Sequence, residues 1–293
     1  MRRRIFLPVF VTPLVRASQK GVRLSLGNYG MQGLSVDRAL ALIAGIGYDG
    51  AELCLMAGWP SEPGLLDAAA RQRIREQRLP IASLLENFNL LASDAEHSRT
   101  LNRIRIAADL AHVISPKAPP ILQSVLGGTP ADWDSLQSKM AQRLGDWAKV
   151  AHESRLKMVL KSHIGSASDT PEKLVWLLDQ VRSPALSAIY DFSHFQLLGL
   201  GLEASLETLL PRSSLVTVKD GRLVDGKPQF LLPGEGTVDY DKYFGVLKKK
   251  GYQGWMLVEI SRQLQVLSGY DAVDAARKSY RNVATLLRRA DLR

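Results

Sequence analysis

Eight short apolar runs, each followed by a longer amphipathic segment, constrain the fold of this 293-residue sequence more than any other feature. Short apolar runs are typical of strands buried on both faces of a parallel sheet, and amphipathic segments are typical of the helices that cover it. Eight such units predict a (β/α)8 barrel in a single domain. A doubly wound open sheet is the alternative, but it usually has fewer strands, and no GxGxxG follows the first run.

The predicted strands lie near residues 22–27, 50–55, 80–86, 120–125, 157–162, 186–191, 214–219 and 255–260. The predicted helices lie near residues 36–46, 64–77, 94–113, 131–154, 171–182, 203–210, 239–250 and 271–289.

Composition excludes several classes of protein. Apolar residues make up 46% of the chain and charged residues 23%, as in ordinary globular proteins. The single cysteine, Cys54, excludes an intramolecular disulfide and a CxxC zinc cluster. No apolar run approaches the ~18 residues that a membrane span needs, so we expect none.

The net charge of +9 is concentrated at the two ends of the chain. Residues 1–20 carry +5 and residues 277–293 carry +5, which leaves −1 for the body between them. Nucleic-acid enzymes more often carry a basic stripe through the body, so we expect no nucleic-acid partner.

Residues 1–20 predict a basic leader before a barrel domain of residues 21–293. Arg3 and Arg4 precede an apolar stretch, as in twin-arginine export signals, but Pro8 and Pro13 break that stretch. We therefore expect a leader without fixed structure and a cytoplasmic protein. Export through a weak twin-arginine-like signal is the alternative.

Catalytic groups of a (β/α)8 barrel project from the carboxyl ends of its strands. Charges at the ends of buried strands are costly unless they are paired or bind something, which makes them informative. The polar residues at the predicted strand ends are Glu52, Glu86, Asn87, Gln123, Lys161, His163, Asp191, His194, Thr217, Lys219, Asp220 and Glu259. Carboxylates with imidazole suit a divalent metal such as Mn, Mg, Zn or Co, and such a site favours proton transfer next to a carbonyl.

The second half of the sequence resembles the xylose isomerase-like barrel family of sugar phosphate isomerases and epimerases. The segments that carry the resemblance are Leu160-Lys161-Ser162-His163, Tyr190-Asp191-Phe192-Ser193-His194-Phe195, Val216-Thr217-Val218-Lys219-Asp220-Gly221, Pro233-Gly234-Glu235-Gly236-Thr237-Val238-Asp239-Tyr240, and Gly251-Tyr252-Gln253-Gly254 running into Val258-Glu259. With the barrel pattern, the resemblance covers roughly residues 21–290.

The resemblance implies a sugar or sugar-phosphate isomerase or epimerase with a metal held by Glu, Asp, His and Glu on strands 5 to 8. Asp191 and Glu259 match two of these ligands, whereas Lys161 and Thr217 stand at the other two positions. Barrels of this family often form dimers or tetramers, so the resemblance also implies that a homo-oligomer is possible.

The resemblance and the strand ends together assign roles to ten residues. The predicted catalytic residues are Glu259, Lys161, His194 and Glu86. The predicted substrate-binding residues are Glu52, Gln123, His163, Lys219 and Asp220, and the predicted metal ligands are Asp191, Glu259 and His163.

The departures at Lys161 and Thr217 leave three interpretations open. In the first, His163 or Glu86 joins Asp191 and Glu259 around a metal in a rearranged site. In the second, the Lys161 ammonium pairs with Asp191 and Glu259 where the metal would lie. In the third, the site is degenerate and the protein is a non-catalytic sugar-binding barrel.

Two other functions use the same scaffold. A lyase or dehydratase is nearly indistinguishable from an isomerase at the level of these residues. An apurinic endonuclease needs a histidine-rich zinc cluster, which five histidines, three of them in predicted helices, do not favour.

Overall fold

Eight parallel strands close into a barrel in the computed structural model, which describes residues 21–293. The strands follow one another around the barrel in chain order, and the last pairs with the first, with Arg23 opposite Trp255. The predicted single-domain (β/α)8 fold is confirmed for these residues. The predicted leader lies outside them.

The barrel strands are β1 (Arg23–Gly27), β2 (Gly50–Cys54), β3 (Ile81–Leu85), β4 (Ile121–Val125), β5 (Met158–Lys161), β6 (Leu186–Asp191), β7 (Ser213–Val218) and β10 (Trp255–Val258). Between the last two, β8 (Asp220–Val224) and β9 (Lys227–Leu231) form an antiparallel hairpin that no sequence pattern predicted.

Helices cover the outside of the barrel, and eight of those described correspond to the predicted helices. They are α1 (Val36–Ile46), α2 (Ala68–Glu76), α3 (Asp94–Ile114), α4 (Trp133–Glu153), α5 (Pro171–Val181), α7 (Leu202–Leu209), α8 (Tyr240–Lys249) and α10 (Ala272–Arg289). The short helices α6 (Phe192–Leu197) and α9 (Arg262–Gln265) were not predicted. No helix within residues 21–293 combines the length and apolar character needed to cross a membrane.

The start of α2 differs from its prediction for a local reason. The side chain of Asp67 accepts a hydrogen bond of 2.7 Å from the amide of Ala70 and caps the helix there. Because an Asp at this position satisfies one of the free amides of the first turn, the helix begins at Ala68 rather than near residue 64.

The barrel interior is layered because successive side chains of a strand point to opposite faces. The inward side chains of Val159, Ile189, Leu215 and Leu257 form an apolar plug, against which Ile121 and Trp255 pack. Two residues further along the same five strands, polar side chains point into the same interior. These are Gln123, Lys161, Asp191, Thr217 and Glu259. The plug thus forms the floor on which the polar layer of the mouth rests.

Gly50 makes room for the Trp255 ring, which packs against the plug. A Cβ on Gly50 would lie 2.5 Å from Cη2 of Trp255 and 3.0 Å from the carbonyl oxygen of Pro80. We expect Gly50→Ala to lower the free energy of unfolding by about 1–3 kcal/mol, because a packed ring and a backbone carbonyl would have to shift. Urea denaturation measures this loss.

Gly45→Ala is the matched control for that measurement. Gly45 is exposed within α1, and a Cβ there meets open space. This variant should keep or raise the stability, by up to about 1 kcal/mol, because alanine is a better helix former than glycine. Equal unfolding midpoints for Gly50→Ala and wild type would contradict the packing argument.

Candidate active site at the barrel mouth

Four charged side chains meet on the floor of the mouth. Nζ of Lys161 lies 3.2 Å from Oδ2 of Asp191 and also donates to Oε2 of Glu259. Nζ of Lys219 donates to Oε1 of Glu259 at 2.7 Å and lies 3.6 Å from Oδ2 of Asp191. Each ammonium therefore contacts both carboxylates. We call these four residues the charge cluster.

The chain positions the charge cluster through the ends of four neighbouring strands. Lys161 and Asp191 are the last residues of β5 and β6, and Lys219 and Glu259 follow directly after β7 and β10. Parallel strands present their carboxyl ends at one edge, so residues distant in sequence converge there. The structure thus brings together four of the residues predicted from strand ends.

Every carboxylate oxygen of the charge cluster has a partner. Oδ1 of Asp191 accepts a hydrogen bond of 2.6 Å from the Ser193 hydroxyl, and the other three oxygens face the two ammonium groups. The side chains of Lys161 and Asp191 are only 5% and 1% exposed. Such burial is tolerated because the charges balance and their hydrogen-bonding groups are engaged.

The paired groups hold each other in their charged forms. Burial alone lowers the pKa of Lys161, but the carboxylates of Glu259 and Asp191 outweigh it and raise that pKa above its ordinary range. Burial raises the pKa of Glu259, and the ammonium groups of Lys161 and Lys219 outweigh it and hold that pKa far below its usual value. Glu259 is consequently a weak base in this arrangement.

Two neutral histidines lie beside the charge cluster, with ring centroids 4.2 Å apart. Burial and the positive charge of Lys219 lower the pKa of His163 to about 4. Nδ1 of His163 lies 2.7 Å from the carbonyl oxygen of Ile164, to which it must donate, so Nε2 carries the lone pair. His163 is thus a neutral imidazole with one accepting nitrogen.

His194 is fully buried and contacts the charge cluster through Lys219. Burial and Lys219 place the pKa of His194 well below its ordinary value. Its Nε2 lies 3.0 Å from Nζ of Lys219, which has only hydrogens to offer, so this nitrogen accepts. The predicted proton-transfer residue therefore lies behind Lys219 and positions it.

A cavity of about 400 Å³ opens above the charge cluster. Of the four charged residues, Lys161 and Glu259 line it, and His163 and Gln123 line it as well. The remaining polar side chains on its wall are Tyr29, Asn87, Ser124 and Ser166. This size and mixture suit a small ligand rich in hydroxyl groups.

Glu52 lies below this cavity and orients Gln123. Its Oε2 accepts hydrogen bonds from the Ser83 hydroxyl at 2.7 Å and from the amide of Gln123. Glu52 is 1% exposed, and burial raises its pKa to about 7. Gln123 reaches the cavity, whereas Glu52, predicted to bind substrate, does not line it.

Two other predicted site residues face different partners. Glu86 pairs with Arg103, whose guanidinium also donates to the carbonyl oxygen of Leu55 at 2.5 Å. Burial raises the pKa of Glu86 despite that guanidinium, and Glu86 does not line the cavity. Asp220 turns its two oxygens to the amides of Gly221, Gly234 and Val238. It anchors the loop after the hairpin, and no observed contact supports the predicted substrate-binding role.

Tyr29 and Phe230 are among the residues of the site that escaped prediction. Tyr29 lines the cavity from the segment after β1 and stacks on Trp59 with centroids 5.3 Å apart. Phe230 of the hairpin covers Lys219, whose Nζ lies 4.5 Å from the ring centroid. Tyr29 was detectable because it follows a strand end, whereas Phe230 arrives through a hairpin that the sequence did not reveal.

The predicted metal ligands do not form a metal-binding group. Within residues 21–293, no cluster of three or more His, Cys, Asp and Glu side chains has the arrangement to hold a metal ion. The ammonium of Lys161 lies between Asp191 and Glu259, and Nδ1 of His163 is engaged by its own backbone. The donor set present does not fit a divalent metal, and the geometry is that of the second interpretation.

Comparison with known families identifies the scaffold. The family model described as xylose isomerase-like TIM barrel matches residues 40–288. The chain belongs to this family. The resemblance noted from five sequence segments is therefore confirmed.

The curated proteins that this sequence matches include several inosose dehydratases. An inosose dehydratase from Yersinia enterocolitica is 25% identical over 225 residues, covering 67% of this chain and 75% of that protein. Other inosose dehydratases are matched over as little as 57% of their length.

Two solved structures share the fold at less than 25% identity. The IOLI protein with a binding zinc atom has a TM-score of 0.76 at 17% identity, covering 92% of this chain and 99% of that one. The 3-keto-D-glucoside 4-epimerase YcjR from E. coli has a TM-score of 0.69 at 18% identity, covering 90% and 98%.

The raised pKa of Glu52 predicts a pH dependence of stability. Between pH 4.5 and about 7 the folded protein keeps a proton that the unfolded chain has released, so stability falls as the pH rises through this window. Relative to Glu52→Gln, whose amide oxygen can accept both hydrogen bonds, wild type should lose up to about 3 kcal/mol across it. Urea denaturation of both proteins at several pH values measures the difference, and parallel stability curves would contradict the prediction.

Proposed function

We propose that this protein dehydrates an uncharged, polyol-derived ketone by removing a proton next to its carbonyl. The observation that carries the proposal is the pairing of a fixed ammonium and a neutral imidazole on one cavity. Lys161, held by two carboxylates, and His163 both line the space in which a small ligand would lie. Proton abstraction next to a carbonyl needs these two groups, an electrophile for the oxygen and a base for the carbon-bound proton.

Lys161 supplies the electrophile. An ammonium has three N–H donors, and the contacts with Asp191 and Glu259 use two of them. The third is available to the carbonyl oxygen of a ligand. Since negative charge develops on that oxygen as the proton leaves, a donor already fixed in place stabilises the transition state more than the ground state.

His163 supplies the base. Its Nε2 takes the proton from carbon as the C–H bond breaks and the enolate forms. The same imidazolium then returns the proton to the hydroxyl on the next carbon, the C–O bond breaks, and water leaves as the carbonyl re-forms. The step is balanced without an oxidant or a further acid, and the low pKa of about 4 makes the imidazolium a strong proton donor.

The other predicted catalytic residues support these two. Glu259 and Asp191 hold Lys161 in place and keep it charged, and His194 accepts from Lys219 behind the cavity wall. Glu259 was predicted to transfer the proton, but both of its oxygens accept hydrogen bonds from ammonium groups, which hold its pKa below that of His163. The geometry thus favours His163 as the base.

An uncharged substrate follows from the charges on the cavity wall. Lys161 and Glu259 are the charged residues that line it among residues 21–293, and they pair with each other. The described part of the chain therefore leaves no unpaired cationic side chain on this wall for a phosphate group, which usually recruits one. A sugar or cyclic polyol therefore suits the cavity better than a sugar phosphate.

The choice of dehydration over epimerisation rests on the relatives. Enolate formation is common to isomerisation, epimerisation and dehydration, so the residues alone favour none of them. The sequence relatives are inosose dehydratases, which by name act on a ketone derived from a cyclic polyol. We therefore favour the dehydratase alternative over the isomerase that the sequence predicted.

Incubation of the purified protein with an inosose in deuterium oxide tests the proposal. We expect loss of water and a conjugated product with new near-ultraviolet absorbance. His163→Gln should slow this reaction by roughly 100-fold or more, because it removes the base. The matched control is His152→Gln, which changes an exposed histidine of α4 and should leave the rate unchanged.

The other outcomes separate the alternatives. Deuterium incorporation next to the carbonyl without loss of water indicates an epimerase or isomerase and contradicts dehydration. Heat of binding without either reaction indicates a sugar-binding barrel. A His163→Gln variant that reacts at the wild-type rate would remove His163 from the mechanism.

A further inference from the structure

We infer that the Lys161 ammonium, with Lys219 completing the charge balance, takes the place of a divalent metal at the mouth of this barrel, and that the chain binds no such metal there. The zinc-binding IOLI structure shows that the scaffold accepts a metal in another protein. The catalytic half of the inference, in which Lys161 activates a carbonyl, rests on the proposed function. The binding half, which states that no divalent metal binds at the mouth, depends only on the charge cluster.

The first argument is that the oxygens a metal would need are already engaged. Lys161 and Lys219 contact both oxygens of Glu259 and one of Asp191, and the Ser193 hydroxyl takes the other. A divalent ion binds carboxylate oxygens at about 2.0–2.2 Å, so to reach Oδ2 of Asp191 and Oε2 of Glu259 it would have to displace the Lys161 ammonium that lies between them. The side chains of Lys161 and Lys219 are 5% and 2% exposed, so neither ammonium can move into solvent unless the site rearranges.

The second argument is the charge. Two ammonium groups and two carboxylates already sum to zero. A divalent ion added to this set would leave two uncompensated positive charges in a buried site. Buried unpaired charge is strongly unfavourable, so the existing cations exclude a further one.

The third argument is Thr217. The register places it beside Asp191 on the adjacent strand and beside Leu257 on the other side, with its side chain pointing into the interior. It is 1% exposed, and its hydroxyl has no hydrogen-bond partner among residues 21–293. A threonine hydroxyl is a poor ligand for Zn or Mn compared with an imidazole, so this position does not favour metal binding.

The replacement changes how the site performs its chemistry. A metal binds substrate oxygens by coordination, whereas an ammonium donates a directed hydrogen bond and keeps its own position through its carboxylate partners. Lys161 lines the cavity, and Lys219 lies behind it under Phe230. Lys161 therefore meets the ligand, and Lys219 neutralises and orients Glu259.

Metal content measured by elemental mass spectrometry tests the binding half. After exposure to excess Zn or Mn and dialysis, wild type should retain less than roughly a tenth of an equivalent, because its carboxylates are engaged. Lys161→Glu combined with Thr217→His should retain about one equivalent, since these residues join Asp191 and Glu259 in a four-ligand set. Lys157→Glu, the same charge change at an exposed residue before β5, should behave as wild type.

Near-stoichiometric metal in wild type that is lost in Asp191→Asn would overturn the inference. Circular dichroism checks that each variant folds, and the wild-type measurement stands if the double variant does not. A double variant that folds and retains no metal would also overturn the argument, because the two side chains would not be what excludes the ion.

Turnover tests the catalytic half. A chelator should change wild-type turnover by less than twofold, whereas Lys161→Met should lower it by about 100-fold or more and added metal should not restore it. Loss of wild-type activity on chelation, with recovery on adding metal, would overturn the inference while leaving dehydration intact. Absence of turnover with every ketone would instead remove the proposed function, and the metal measurement would still decide the binding half.

Discussion

The mutual neutralisation of Lys161, Lys219, Asp191 and Glu259 is the interaction on which the rest of the site depends. Any one of these charges alone would be too costly to bury above an apolar plug. Together they form a fixed, neutral platform whose N–H donors are oriented before a ligand arrives. Removing one partner would leave another charge buried and unpaired, so the four are expected to act as a unit rather than as separate contributions.

The charge cluster lies where it does because successive side chains of a strand alternate between the two faces of the barrel wall. One layer of inward side chains forms the apolar plug, and the next layer forms the polar mouth. Val159, Ile189, Leu215 and Leu257 close the barrel, and the residue two positions later on each strand is polar. The same backbone geometry that packs the plug therefore aims the polar residues into the mouth. Stability and chemistry are linked here, because a change that shifts a plug residue also shifts the charge above it.

The sequence was sufficient for the barrel and for the convergence of the strand ends, because both follow from local periodicity and from the rule that parallel strands end at one edge. It did not reveal contacts made by loops. Phe230 covers Lys219 through an unpredicted hairpin, and Asp220 turns to the backbone of a later loop. Glu86 pairs with Arg103 of α3, a helix whose rotation the sequence does not fix. These arrangements depend on tertiary packing, which residue spacing along the chain does not encode.

The two substitutions at family ligand positions are consistent with each other in physical terms. Replacing a carboxylate by Lys161 adds a cation and removes a ligand, and replacing an imidazole by Thr217 removes a second ligand. Either change alone would leave a weakened metal site, whereas both together leave two carboxylates that need a cation and a lysine that provides one. Lys219 completes the neutrality that one lysine could not achieve. This consistency supports the inference that the charge cluster replaces a metal centre, because each carboxylate oxygen of the cluster already accepts a hydrogen bond.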